Sequence, residues 1–191
     1  YISMLLRKIA SKKRWDINDV PKQIPRQNAL FSGDAISDLR TRGNTISVWH
    51  TPDLEKENIK DILAVMALNC DKIDRVVYVA LEEEELERRG ISTKPVMGDC
   101  PAITDQNILN RHRDIVEVDF WHLGLLAEYI YDLIKAGHVY SAKVTDIKSY
   151  IADIIALNKL DITKLNDSKC VSLGYKPTSP CYACQKAVSQ K

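Results

Sequence analysis

From Thr45 to His50 the chain alternates with a period of two, placing Ile46 and Val48 on one face of a predicted strand. Gly43 and Asn44 supply the turn before it. Thr51-Pro52-Asp53 then suits a helix start, because proline is tolerated in the first turn and acids favour the positive end of the helix dipole. Ile59, Ile62, Leu63, Met66 and Ala67 form an apolar stripe that runs to about Asn69. The next run, from Arg75 to Leu81, is β-rich and almost continuously apolar, as in a strand covered on both faces. Strand, helix and strand in this order predict a right-handed βαβ unit over residues 45–81 with parallel strands.

On the N-terminal side, Ile2, Leu5, Leu6 and Ile9 recur at helical spacing, with Arg7, Lys8, Lys12 and Lys13 elsewhere on the surface. This pattern predicts a basic amphipathic helix over about 2–13. Pro21 and Pro25 break the chain into a connector, and a short helix capped by Ser32 is expected over 34–39. On the other side, residues 82–89 read as a short helix stopped by Gly90. Residues 91–101 read as loop, and Thr104 as the cap of a short helix towards Asn110. Residues 115–118 form a third strand candidate. Leu123, Leu126, Ala127, Ile130 and Ile134 line a helix closed by Gly137, and another helix, capped by Thr145, spans about 146–160. Beyond Asp161 the periodicity dissolves.

These elements predict an α/β fold: a small, mostly parallel sheet of three or four strands built on the βαβ unit at 45–81 and flanked by helices. The expected organisation is a basic helix and connector over 1–26, one α/β domain over 27–160, and a loosely structured, cysteine-containing tail over 161–191.

An apolar share of 45% and a charged share of 28% fit a folded globular chain and argue against global disorder. The apolar runs are far shorter than the roughly 20 residues a bilayer span needs, so no membrane association is expected. Basic residues follow the first apolar stretch, the wrong order for a secretory signal. Five cysteines, an odd and dispersed set, suit a reducing compartment, and a cytoplasmic location is expected. A net charge of +1 argues against a uniformly basic nucleic-acid binder, but residues 1–26 carry seven Lys or Arg against two Asp.

Four constellations carry candidate chemistry. With the three strands parallel, His50, Asp53, the run Glu82 to Glu85, Asp119 and His122 would share one sheet edge. Imidazoles and carboxylates there suit proton transfer or a divalent metal. At the other edge, Arg40 and Arg42 would join Arg111, His112 and Arg113, and forked guanidinium groups there suit a phosphate or carboxylate. Surface pairing with Asp38 and Asp114 is the plainer alternative. Arg7, Lys8, Lys12, Lys13 and Arg14, followed by Trp15, suit contact with nucleic acid or a protein partner. Cys170 with the C-x-x-C at Cys181 and Cys184 offers three thiolates for a structural zinc, whereas a redox role lacks the strand-to-helix context. Cys100, in a Gly-Asp-Cys-Pro loop, is a lone thiol candidate.

No nucleophile elbow, phosphate loop or dinucleotide glycine pattern is present. The expected function is therefore a non-catalytic accessory or adaptor protein that docks in an intracellular assembly, one that handles nucleic acid in its most specific form. The alternative is a hydrolase or transferase on a phosphate-containing substrate, with Arg40, Arg42, Arg111 and Arg113 binding the anion and His50 or His112 moving the proton.

Overall fold

The computed structural model of the chain describes residues 3–10, 12–15 and 33–175. In order these form β1 (Met4–Ile9), β2 (Ile46–Thr51), α1 (Lys56–Leu68), β3 (Val76–Glu82), α2 (Glu83–Arg88) and β4 (Thr93–Pro95). Then follow α3 (Gln106–Leu109), β5 (His112–Ile115), α4 (Phe120–Lys135), β6 (Val139–Ala142), α5 (Val144–Ala156) and α6 (Asp167–Ser172). Short 3-10 helices lie at Lys12–Trp15, Gly33–Leu39 and Ile162–Lys164.

The strands make one sheet in the order β4-β5-β2-β1-β3-β6. The four pairings from β4 across to β3 are all antiparallel. This overturns the mostly parallel sheet of three or four strands expected from the sequence. The predicted unit at 45–81 has the right strand directions, because β2 and β3 are each antiparallel to β1. They are not neighbours, since β1 is inserted between them. A strand-helix-strand pattern thus fixed the relative direction of its two strands and said nothing about what lies between them.

The inserted strand comes from the segment whose spacing predicts a basic helix, so that expectation is also corrected. Leu5 pairs with His50 on one side and Leu81 on the other, and Ile9 pairs with Val77. Apolar residues at 5, 6 and 9 satisfy one helical stripe and a two-faced central strand alike. Leu5, Leu6 and Ile9 are all buried. As β1 alternates, Leu5 and Ile9 serve one face and Leu6 the other.

The chain divides into two compact units. The first comprises Tyr1–Leu54, Val77–Val96 and His112–Ser141 and holds the sheet. One sheet face carries Leu5, Ile9, Ile46, Val48, Val77, Val79, Leu81 and Ile115, clustered with Leu126, Ala127, Ile130 and Ile134 of α4. Each Val, Leu or Ile among them contributes about 1.5–3 kcal/mol when fully buried. Arg7 falls on this same face. Its Nη1 donates to the carbonyl of Ser47 at 2.8 Å and its Nη2 to that of Asp38. Burial lowers the Arg7 pKa, and the nearby Asp38 charge opposes that shift. The Asp38 carboxylate in turn accepts from the indole N–H of Trp15 at 2.9 Å. These bonds tie two 3-10 helices to the central strand.

The second unit comprises Glu55–Val76, Met97–Arg111 and Ala142–Lys191. Here α1 packs on α5, burying Ile59, Ile62, Leu63 and Met66 of one and Ile147, Ile151 and Ile154 of the other. The Lys56 ammonium sits 5.6 Å from the Tyr150 ring centre. Helix α3 is capped by Asp105, which also pairs with Lys159 at 3.0 Å, so the cap lies one residue beyond the predicted Thr104. Among the described residues no helix is long and apolar enough to cross a membrane.

Candidate functional site

Strand β5 decides how the predicted site residues are distributed. It runs antiparallel to β2, with Ile46 opposite Ile115 and Trp49 opposite His112. The start of β5 therefore lies beside the end of β2, and the end of β5 beside the start of β2. Both predicted clusters assumed three parallel strands, so both are divided. Asp119 and His122 are carried away from His50 and Asp53, and Arg113 is carried away from Arg40 and Arg42.

At the His50 end, Glu83 opens α2 and gathers polar groups from four strands. Ser3, just ahead of β1, donates to one carboxylate oxygen and Thr93 of β4 to the other, each at 2.8 Å. Arg113 Nε stands 3.9 Å from the Thr93-bonded oxygen, too far for a hydrogen bond but within Coulomb range. Among the described residues that buried Nε–H has no hydrogen-bond partner. Burial works to raise the Glu83 pKa. The Ser3 and Thr93 hydrogen bonds, with the charges of Arg113 and His50, outweigh it and hold the carboxyl below its ordinary value. A carboxylate with both oxygens engaged is poorly placed to accept a proton from a substrate. This cluster works as a clasp that joins β1, β4 and α2.

His112 is buried, with Nδ1 3.2 Å from the Val96 carbonyl oxygen and its ring set edge-on to Trp49 at 5.0 Å between centres. Arg111 belongs to the second unit, where its guanidinium donates to the Asn58 carbonyl. Arg113, opposite Val48 on β2 and 3.9 Å from Glu83, does not join Arg40 and Arg42 ahead of that strand.

The N-terminal cluster is dispersed as well. Trp15 is fully buried and bonded to Asp38, so its ring offers no stacking face to a ligand. Arg7 is committed to main-chain carbonyls, while Lys12 is exposed. The side chains of Lys13 and Arg14 lie outside the described residues, and Lys8 is half-buried on the central strand. Of the zinc candidates, Cys181 and Cys184 lie outside the described residues. Cys170 is buried and disulfide-bonded, whereas Cys70 and Cys100 keep their thiols. Cys100 is buried, and that burial raises its thiol pKa, the opposite of what an activated nucleophile needs.

The other end of the sheet is different in kind. The turn before β2 bridges Arg42 to Thr45, and Val118 N–H donates to the Asn44 carbonyl at 2.9 Å. This bond sets the start of α4 against the turn. Glu117, just ahead of the helix, takes a left-handed backbone with φ 56°, a conformation that costs a non-glycine residue about 1–2 kcal/mol. Asp119 caps α4, accepting from His122 N–H at 2.8 Å and lying 2.7 Å from the His122 ring Nδ1. The His122 backbone bond, followed by its side chain, lowers the Asp119 pKa and keeps the cap ionised. Between cap and core, Phe120 is 92% and Trp121 72% exposed. Arg40 and Arg42, ahead of β2, are exposed. Neither makes a side-chain hydrogen bond or ion pair among the described residues, because Asp38, the expected partner, faces Trp15.

Sequence reasoning missed Phe120 and Trp121. A helical wheel held the signal for Trp121, which lies roughly 160° from Leu123 at about 100° per residue and so points away from the apolar stripe. Phe120 falls at the stripe's margin, and only the structure shows that it overhangs the core. No family model matches the chain, and neither a curated protein nor a solved structure is significantly similar to it.

Proposed function

We propose that this protein is a non-catalytic docking subunit that presents the Phe120–Trp121 surface to a macromolecular partner. The observation that carries this reading is the near-complete exposure of two adjacent aromatic side chains at the start of a well-anchored helix. Aromatic side chains are among the residue types most enriched at binding hot spots. Chemistry at the opposite end draws less support, since Glu83 is already bonded on both oxygens.

The reading is tested by gel filtration of a native extract. The wild-type chain is expected to elute in an assembly larger than its own mass. The Phe120→Ala/Trp121→Ala variant, with unchanged circular dichroism and thermal midpoint, is expected at monomer mass. A wild-type protein that elutes alone, or a double variant that keeps the assembly, overturns it.

A further inference from the structure

We infer that Cys170, Cys181 and Cys184 form a thiol–disulfide exchange site, in which one bond moves between helix α6 and the C-x-x-C pair and whose substrate class is a dithiol. The chain has five cysteines. Cys170 is disulfide-bonded, while Cys70 and Cys100 keep their thiols. By elimination the partner of Cys170 is Cys181 or Cys184, two positions that lie outside the described residues. The other member of the C-x-x-C pair is then a third sulfur, three positions along the chain from the bonded one.

Burial gives the exchange a direction. Cys170 is 0% exposed, so attack on its own sulfur would need entry into the core. A nucleophile instead meets the bond at the C-x-x-C sulfur and expels Cys170. The nearest one by chain is the third thiol. Its thiolate attacks the sulfur of its C-x-x-C neighbour, the bond to Cys170 breaks, and a Cys181–Cys184 disulfide forms. Cys170 leaves as a thiolate and takes up the proton that the attacking thiol gave up, so no electrons enter or leave. An incoming dithiol then reduces the Cys181–Cys184 bond, supplying two electrons and two protons and departing as its own disulfide.

Hydrogen bonds also hold the helix that carries Cys170. Asn166 caps α6 by accepting from Lys169 N–H at 2.9 Å, and its amide donates to the Asp71 carbonyl at 3.3 Å. Tyr175 N–H donates to the Cys170 carbonyl at 3.0 Å. Moving the bond therefore releases the covalent tie between α6 and the C-x-x-C pair while these contacts keep α6 in place. A structural zinc on the same three residues needs all of them as thiolates, which the Cys170 bond prevents.

The test is disulfide mapping of the full chain. The protein is equilibrated in a series of glutathione redox buffers, quenched in acid, unfolded and alkylated. Chymotrypsin cuts after Tyr175 and Tyr182 and so separates the three cysteines. A species with Cys170 joined to one C-x-x-C cysteine, and the other alkylated, is expected at oxidising poise. Freed from glutathione and raised to mildly alkaline pH without oxygen, it is expected to yield a Cys181–Cys184 disulfide with Cys170 alkylated. The rate should be independent of protein concentration and rise about tenfold per pH unit below a thiol pKa of about 8.5. Dithiothreitol is expected to free Cys170 several-fold faster in the wild type than in Cys181→Ser or Cys184→Ser, each of which lacks a third thiol.

A Cys170 that is joined to neither C-x-x-C cysteine at any poise overturns the inference. So does a Cys170 bond that never redistributes, which is a static structural disulfide, and so do equal dithiothreitol rates in wild type and both variants. One zinc per chain that protects all three thiols from alkylation in these buffers overturns it in favour of a metal site.

Discussion

Replacing Arg7 with methionine isolates the interaction that makes a charged segment into a central strand. The substitution keeps an unbranched apolar stem and removes the guanidinium. It leaves the carbonyls of Ser47 and Asp38 without their charged donor and the buried Asp38 carboxylate without its nearby cation. An uncompensated buried charge costs about 3–5 kcal/mol, a large part of a typical domain's stability of about 5–15 kcal/mol. With a urea dependence of about 2 kcal/mol per molar, the midpoint is expected to fall by roughly 1.5–2.5 M. Tryptophan fluorescence is the natural assay, since Trp15, Trp49 and Trp121 all belong to the unit that contains the sheet. Adding Asp38→Asn removes the orphaned charge and keeps a side-chain oxygen to accept the Trp15 N–H. The double variant is therefore expected to recover more than half of the loss, a coupling that a double-mutant cycle measures. A single variant within 1 kcal/mol of wild type, or a double variant no better than the single, refutes the reasoning.

Three further outcomes follow from the same geometry. Glu83 is held below its ordinary pKa in the fold, so its stabilisation is present above the unfolded value of about 4.3 and is lost as pH falls through the folded one. Glu83→Gln should lower stability at pH 7 and flatten the acid limb of a Tm-against-pH curve, and an unchanged limb would count against the clasp. A thiol reagent under native conditions should label half-buried Cys70 well before Cys100, whose burial raises its pKa. Prompt labelling of Cys100 would restore it as a nucleophile candidate. Because Glu117 holds φ 56°, Glu117→Gly should leave stability within about 1 kcal/mol of wild type while Glu117→Val loses about 1–2 kcal/mol, read by urea unfolding. Equal effects of the two changes would contradict a backbone cause.

The sequence carried local patterns well and long-range ones poorly. The stripes of α1, α4 and α5 are strong enough at helical period that the structure keeps all three. Residues 33–39 are helical as expected, though wound as a 3-10 helix. Strands β4 and β6, three and four residues long, have too little pattern to separate from loop. β1 failed for a different reason, since Leu5, Leu6 and Ile9 fit two periods equally. That ambiguity spreads to the site: without β1 between β2 and β3, the pattern implies a parallel sheet and gives β5 the wrong direction. The pattern therefore groups Arg113 with Arg40 and Arg42, whereas it lies opposite Val48 and near Glu83. The Arg40–Arg42 pair is legible, but its lack of a partner among the described residues is not, because the competition of Trp15 for Asp38 spans 23 residues of chain.

Acrylamide quenching of tryptophan, in the isolated protein and in its native assembly, tests the docking surface most directly. One accessible tryptophan is expected in the isolated chain, abolished by Trp121→Phe and shielded in the assembly, while the emission of Trp15 and Trp49 stays protected throughout. An accessible fraction that survives Trp121→Phe, or that is as open in the assembly as in the free chain, contradicts the account.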